Sequence, residues 1–206
     1  FVRGCILGFN GDDVFNGGDD GEYGPNWVIE DSLFCFSRRH AVQNPTENFV
    51  FRNNIVYYVG GSFIICDSAN APKQALFANN EIYSGKRNPY WYNISLRDYS
   101  DVTITNNRFF DCEYPLLHAS EGDQLVFENN HLDRGDRATD PNIVTLTQAA
   151  NTTLRGNTTA TQDDGIERKR SSILTSGSQT SFSHDTVPEF DHTRVVEMLG
   201  WAHAEE

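Results

Sequence analysis

Five short segments of this chain repeat one pattern at nearly constant spacing: FVFRNN (49–54), ALFANN (75–80), VTITNN (102–107), LVFENN (125–130) and TTLRGN (152–157). Each alternates apolar and polar residues and ends in Asn. Two weaker copies, FVRGCI (1–6) and WVIEDS (27–32), come before them. With the final Asn as the mark, Asn54, Asn80, Asn107, Asn130 and Asn157 follow Cys5 and Asp31 in phase. The spacings are 26, 23, 26, 27, 23 and 27 residues. A period of this size with one strand-like segment per repeat predicts a solenoid.

Neither a leucine framework nor a helical segment recurs, which leaves an all-β parallel β-helix of about seven coils. Neighbouring parallel strands lie about 4.8 Å apart, so Asn at one phase of every coil stacks into a ladder whose amides hydrogen-bond along the axis. Asn also tolerates the left-handed backbone of sharp corners. A second strand follows the ladder in each coil: DDVFN, RHAVQ, SFIICD, YNISLRD, PLLHAS and NIVTLTQ. Phe63, Ile65, Ile94, Leu96, Leu116 and Leu146 are expected to point inward from these strands. Longer excursions at 68–73, 84–92 and 133–141 are loops on a rigid scaffold, where binding residues commonly sit.

The pattern divides the chain into a solenoid over 1–165 and a tail over 166–206. The tail ends in VPEFDHTRVVEMLGWA (187–202), a short amphipathic helix with Val195, Val196, Leu199 and Trp201 near one face. A terminal coil needs a cap, and the tail is expected to supply it. Starting inside a coil leaves an open sheet edge. The expectation is therefore a processed product or the later part of a longer β-helix, with an upstream segment, a partner chain or a second copy covering the first coil.

Net charge is −13, which argues against nucleic acid and anionic membrane surfaces as partners. No apolar run approaches the roughly 20 residues of a membrane span. Cys5, Cys35, Cys66 and Cys112 occupy different coils and phases, so unbridged thiols are expected. No metal-ligand spacing of Cys or His occurs, and no cofactor is expected for hydrolytic chemistry.

One dense acidic run stands near the start of the chain. NGDDVFNGGDDGE gathers Asp12, Asp13, Asp19, Asp20 and Glu22 within one coil. By phase, Asp12 and Asp13 lie beside Arg38, Arg39 and His40 of the following coil. Opposite charges on neighbouring strands contribute about 0.2–1 kcal/mol each, which is one reading of the cluster. The other is chemistry: glycosidic cleavage needs two carboxyl groups flanking the bond, and crowding raises the pKa of at least one of them. Adjacent residues on a flat strand face opposite ways, so Asp12 and Asp13 serve together only on a bulged or turning segment. Otherwise the second carboxylate comes from Asp19, Asp20 or Glu22.

The coils resemble those of the right-handed parallel β-helix, pectin-lyase-like superfamily, over roughly residues 1–165. NGDDVFNGG followed by SRRHAVQNPTENFVFRNN is similar to the catalytic coils of polygalacturonases and of α-1,3-galactosidase-type β-helix glycosidases. That resemblance implies a secreted, periplasmic or cell-surface hydrolase of a poly- or oligosaccharide. Asp12 and Asp13 would be the carboxyl pair, His40 an acid-base helper or a support behind it, and Arg38 or Arg39 a substrate contact. A lacto-N-biosidase-like enzyme, with two Asp seven apart, would match Asp12/Asp19 or Asp13/Asp20. The Asn-Thr-Asp, Gly-His-Gly and Arg-Ile-Lys motifs of polygalacturonases are absent. Asp19, Glu22, Trp27, Asp67 and Trp91 are further candidate sugar contacts, the aromatics because rings stack on the apolar faces of sugars. Two alternatives remain open: a polysaccharide lyase or epimerase, whose acidic residues would hold Ca²⁺, and a non-catalytic rod such as a tailspike or adhesin segment.

Overall fold

The computed structural model describes residues 1–18, 24–66, 72–83, 92–112, 116–133, 142–160, 165–170, 172–186 and 189–200. Asp19, Asp20, Glu22, Asp67, Trp91 and Trp201 lie outside the described residues.

Among these residues the chain winds into three parallel sheets of seven, eight and seven strands. The first runs from Val2–Arg3 to Thr153–Arg155 and carries the segments that end in the repeating Asn. The second begins with Ile6–Gly8 and ends with Ser183–His184. The third runs from Phe15–Asn16 to Gly165–Lys169 and is built from the second strands recognised in the sequence. Every pairing between these strands is parallel, coil on coil, giving about six turns between the first and last strands of the first sheet.

The second sheet was not separable in the sequence. Its strands, such as Ile55–Tyr57 and Glu81–Tyr83, start immediately after the repeating Asn and read as continuations of the strand before it. The corner between the first two sheets divides its work between two residues. Asn53, Asn79, Asn106 and Asn129 take positive φ and turn the chain. Asn54, Asn80, Asn107 and Asn130 then point inward, each 1% exposed.

The inward Asn form the expected ladder. Asn54 Nδ2 donates to Asn80 Oδ1 at 3.3 Å, Asn80 Nδ2 to Asn107 Oδ1 at 2.9 Å, Asn107 Nδ2 to Asn130 Oδ1 at 3.0 Å, and Asn130 Nδ2 to Asn157 Oδ1 at 3.1 Å. Each Oδ1 also accepts the backbone N–H of the preceding Asn. Ser32, not Asp31, stands at the ladder level, its N–H donating to Asn54 Oδ1 at 2.9 Å. Asp31 occupies the positive-φ position before it. Cys5 is in phase as expected, its N–H donating to Ser32 Oγ. At the far end Gln179 Oε1 accepts from Asn157 Nδ2 at 3.1 Å. Winding therefore continues past residue 165, through Gly165–Lys169 and Ser183–His184.

The interior is apolar along its length. Phe51, Phe77, Phe109 and Phe127 are fully buried, and Phe63, Ile94, Leu96, Leu116 and Leu146 join them as expected. Ile65 is the exception among the inward residues. It is 1% exposed, yet Ile64 and Cys66 are the neighbours that enter this core. Alternation along the strand places Ile65 on the outer row.

Tyr99 is another large buried side chain, and it fits because residue 122 has none. A Cβ there would stand 2.4 Å from two ring carbons of Tyr99. Gly122→Ala is expected to cost about 1–3 kcal/mol by overpacking, read as a lowered thermal midpoint. An unchanged midpoint would mean the ring is not wedged there.

The C-terminal helix, His192–Met198, is capped by Asp191, whose side chain accepts from the N–H groups of Thr193 and Arg194. It does not cover the last coil. Phe190 and Val195 pack with Leu33, Cys35, Ile55 and Phe110 on the outer face of the second sheet. Apolar residues on that face gave the helix a place to bury Val195, whereas Val196 remains 38% exposed. All four cysteines are unbridged thiols.

Candidate functional site

Phe15 pairs with Val42 and Asn16 with Gln43, an offset of 27 residues that brings Asp12 level with Arg39 and Asp13 with His40. The predicted juxtaposition of acidic and basic residues on neighbouring coils is therefore present. Asp12 and Asp13 lie in the irregular segment that leads into the third sheet, the turning geometry that two adjacent carboxylates need. Even so, they diverge. The Asp12 side chain is 71% exposed and the Asp13 side chain 3%.

Arg39 Nη1 lies 2.9 Å from Asp12 Oδ1 and 3.7 Å from Asp13 Oδ2. Asp13 Oδ1 accepts the backbone N–H of His40 at 3.0 Å. Asn10 Nδ2 donates to the Asp13 carbonyl at 2.8 Å, and Ser37 Oγ donates to the Asp12 carbonyl. Asp13 thus braces one coil against the next and presents almost nothing to a ligand. The hydrogen bond from Arg39 holds the Asp12 carboxyl below its ordinary pKa, so at neutral pH Asp12 is an anion. A carboxyl raised by crowding, expected from the sequence, is not what Asp12 provides.

His40 is 2% exposed. Its Nδ1 accepts the Ser62 N–H at 2.8 Å, tying the second coil to the third. A Cβ at residue 61 would fall 2.6 Å from that nitrogen, so Gly61 leaves room for the imidazole. Arg38 is exposed and fixed through its backbone N–H to the Asn10 carbonyl at 3.2 Å. Trp27 packs edge-to-face on Phe15, centroids 5.4 Å apart, against the apolar interior. That placement gives its ring a packing role.

A second polar centre escaped the sequence reading. On the third sheet Ser95, His118, Thr145 and Glu167 stand in register on successive coils. Tyr92 stacks on His118 with ring centroids 4.6 Å apart. Burial, and then the charge of Lys169, lower the His118 pKa, so the imidazole is neutral at neutral pH. Thr145 Oγ1 reaches Glu167 at 3.5 Å, and Glu167 pairs with Lys169 at 2.9 Å. Alternation in PLLHAS points His118 outward, and comparing that phase with YNISLRD was the signal available. Among the described residues no group of three or more His, Cys, Asp or Glu is arranged to hold a metal ion.

Burial also lowers the pKa of His131, whose Nδ1 lies 2.8 Å from Thr158 Oγ1. Both histidines bind a proton more readily once unfolded, so the unfolded state holds more protons and stability rises with pH. The contribution is complete above the ordinary value of 6.5 and is lost as pH falls below it toward the folded values. Unfolding free energies measured across that interval are expected to fall on acidification, and less steeply in His131→Gln. A slope unaltered by that replacement would exclude His131 as a contributor.

The family described as "Right handed beta helix region" matches residues 20–187. Among solved structures the chain is similar to the A-module of mannuronan C-5 epimerase AlgE6 of Azotobacter vinelandii, at a TM-score of 0.57 and 13% identity. The match covers 90% of this chain and 57% of that one, so the chain spans a little over half of its structural neighbour. A search of curated proteins finds no match. Coils in parallel register, one column of stacked Asn and a match across most of the length agree: this chain belongs to the right-handed β-helix family.

Proposed function

We propose that this chain acts on a carbohydrate in an extracellular, periplasmic or cell-surface setting, and that it hydrolyses a glycosidic bond at the corner leading into the third sheet. The supporting observation is the exposed Asp12–Arg39 pair, a carboxylate kept ionised and held in place across two coils. An anion so fixed suits the carboxylate that acts as base or nucleophile, or that steadies an oxocarbenium-like transition state. Because Asp13 is buried in a bracing role, the proton donor falls to the neighbouring acidic residues Asp19, Asp20 or Glu22. Arg38 and Arg39 offer donors to sugar hydroxyls or carboxylates.

Asp12→Asn keeps the size of an exposed side chain and is expected to fold normally. Loss of the carboxylate should lower the release of reducing ends from a susceptible glycan by about 100-fold or more. Full cleavage by the folded variant would remove Asp12 from the reaction.

A specific observation favours a second reading, proton abstraction beside a sugar carboxylate, as in a lyase or epimerase. Neutral His118 stacked on Tyr92 supplies a base and a hydroxyl donor on one face. The products separate the two. Both cleavages release a new reducing end, but hydrolysis leaves the other fragment saturated, whereas a lyase leaves it with an unsaturated, ultraviolet-absorbing end. An epimerase exchanges solvent deuterium at the inverted carbon, and either would be abolished by His118→Gln. Sensitivity to a chelator would add Ca²⁺ to that reading. Glycan binding without turnover, surviving both substitutions, points to a non-catalytic rod.

A further inference from the structure

The outer face of the second sheet is apolar where solvent would ordinarily meet it. Leu33 and Cys35 are fully buried there, Ile55 is 2% and Phe110 4% exposed. They form one cluster with Phe190 and Val195 of the C-terminal segment. The ring of Phe190 lies 5.6 Å from Tyr57, 5.1 Å from Tyr83 and 5.3 Å from Phe110. Two polar contacts secure the same segment. Tyr57 Oη meets His192 Nδ1 at 3.1 Å, and Arg194 Nη1 meets Glu81 Oε2 at 3.2 Å, both in exposed positions.

These anchors are few compared with those of the coils. A helix of seven residues has no stability of its own in water, since isolated helices shorter than about 12–15 residues are marginal. It is ordered only while Phe190, Val195 and Leu199 stay docked. The interior coils, by contrast, are held by ladders on both sides, and those from Asn54 to Asn157 by the Asn column as well. Stability is therefore graded, and such elements open ahead of the whole. The apolar strip also runs past the segment, with Ile6 49%, Phe9 60% and Tyr58 40% exposed.

We propose that residues 189–200 are a strap that releases from the second sheet while the solenoid stays wound, uncovering an apolar groove, and that the same segment of a second copy of this chain can fill it. The occupant follows from the fit already present. The groove takes a short segment whose helix presents Val195, with large apolar residues Phe190 before it and Leu199 at its end, a variant of the helix-in-groove mode of recognition. Exchange of one identical element between copies needs no new surface.

Cys35 lies under the strap and reports on it. Burial pushes its thiol up to about 11, and a covered, protonated thiol is inert toward disulfide reagents. Cys66 and Cys112 belong to the interior of the coils and serve as controls for global unfolding. In the full chain, Cys35 is expected to react with an aromatic disulfide faster than Cys66 or Cys112. Phe190→Ala should raise the Cys35 rate at least tenfold and leave the two control rates unchanged. A synthetic peptide of residues 189–200 should then slow Cys35 in that variant again. Arg194→Ala, which removes only the exposed ion pair, should give a smaller rise and covers the case in which Phe190→Ala fails to fold. If Cys35 reacts only in step with Cys66 and Cys112 in every form, the strap does not release separately and the proposal is overturned. If it releases but the peptide gives no protection, filling by a second copy is overturned.

Discussion

Asn107→Ala is expected to lower the stability of the chain by about 3–5 kcal/mol, well beyond the effect of an ordinary surface substitution. Asn107 Nδ2 donates to the Phe77 carbonyl and to Asn130 Oδ1, both at 3.0 Å. Its Oδ1 accepts from Asn80 N and Asn80 Nδ2, both at 2.9 Å. Truncation leaves donors on Asn80 and acceptors on Phe77 and Asn130 without these bonds at a place that water does not reach. A buried orphan group costs about 1–3 kcal/mol, and the substitution creates several at once. Asn107→Asp should not rescue it, because a carboxylate oxygen would then face the Phe77 carbonyl and Asn130 Oδ1. Thermal or denaturant unfolding measures the effect. A midpoint close to that of the unaltered chain would falsify the claim that the column is under load.

Phe77→Ala comes second, at about 3–5 kcal/mol. The ring is fully buried and touches aromatic neighbours on three sides, with centroids 5.8 Å from Phe49, 6.4 Å from Phe51 and 6.1 Å from Phe63. In a solenoid the interior is a narrow column, and a void there faces residues fixed by ladders above and below, so little can collapse into it. Phe9→Ala is the matched control. Phe9 is 60% exposed, and its loss should shift stability by no more than about 0.5 kcal/mol. Equal effects from the two would contradict the interior position of Phe77.

The architecture was legible because a stacked amide column demands one residue type at one phase, and a sequence records that directly. The second sheet was hidden for a physical reason. Its strands are two or three residues long and follow the ladder Asn without a turn signal of their own, since the preceding Asn has already made the turn. The Ser32 level is hard to read because a hydroxyl replaces the amide there, and the coil from Ser32 to Asn54 is only 22 residues long. The helix was recognised from its periodicity, but nothing in its residues names the flank on which it rests. That depended on Leu33, Ile55 and Phe110, which lie far away in the chain.

At the acidic cluster the register was readable and the side-chain directions were not. Spacing placed Asp12 and Asp13 beside Arg39 and His40, and they are there. Which of two adjacent carboxylates turns inward depends on local backbone angles that spacing does not encode. Taken by itself, His118 carries no signal in the sequence. Its meaning comes from Tyr92 on the coil before it.

The corner between the first and second sheets never changes length. From Asn53–Asn54 to Gly156–Asn157, a single residue at positive φ is followed at once by a member of the column. All variation in coil size, from 22 to 27 residues, is taken up elsewhere on the circumference. An in-frame duplication of one whole repeat should consequently lengthen the rod by a single rung, whereas one residue inserted at that corner would throw every later rung out of alignment.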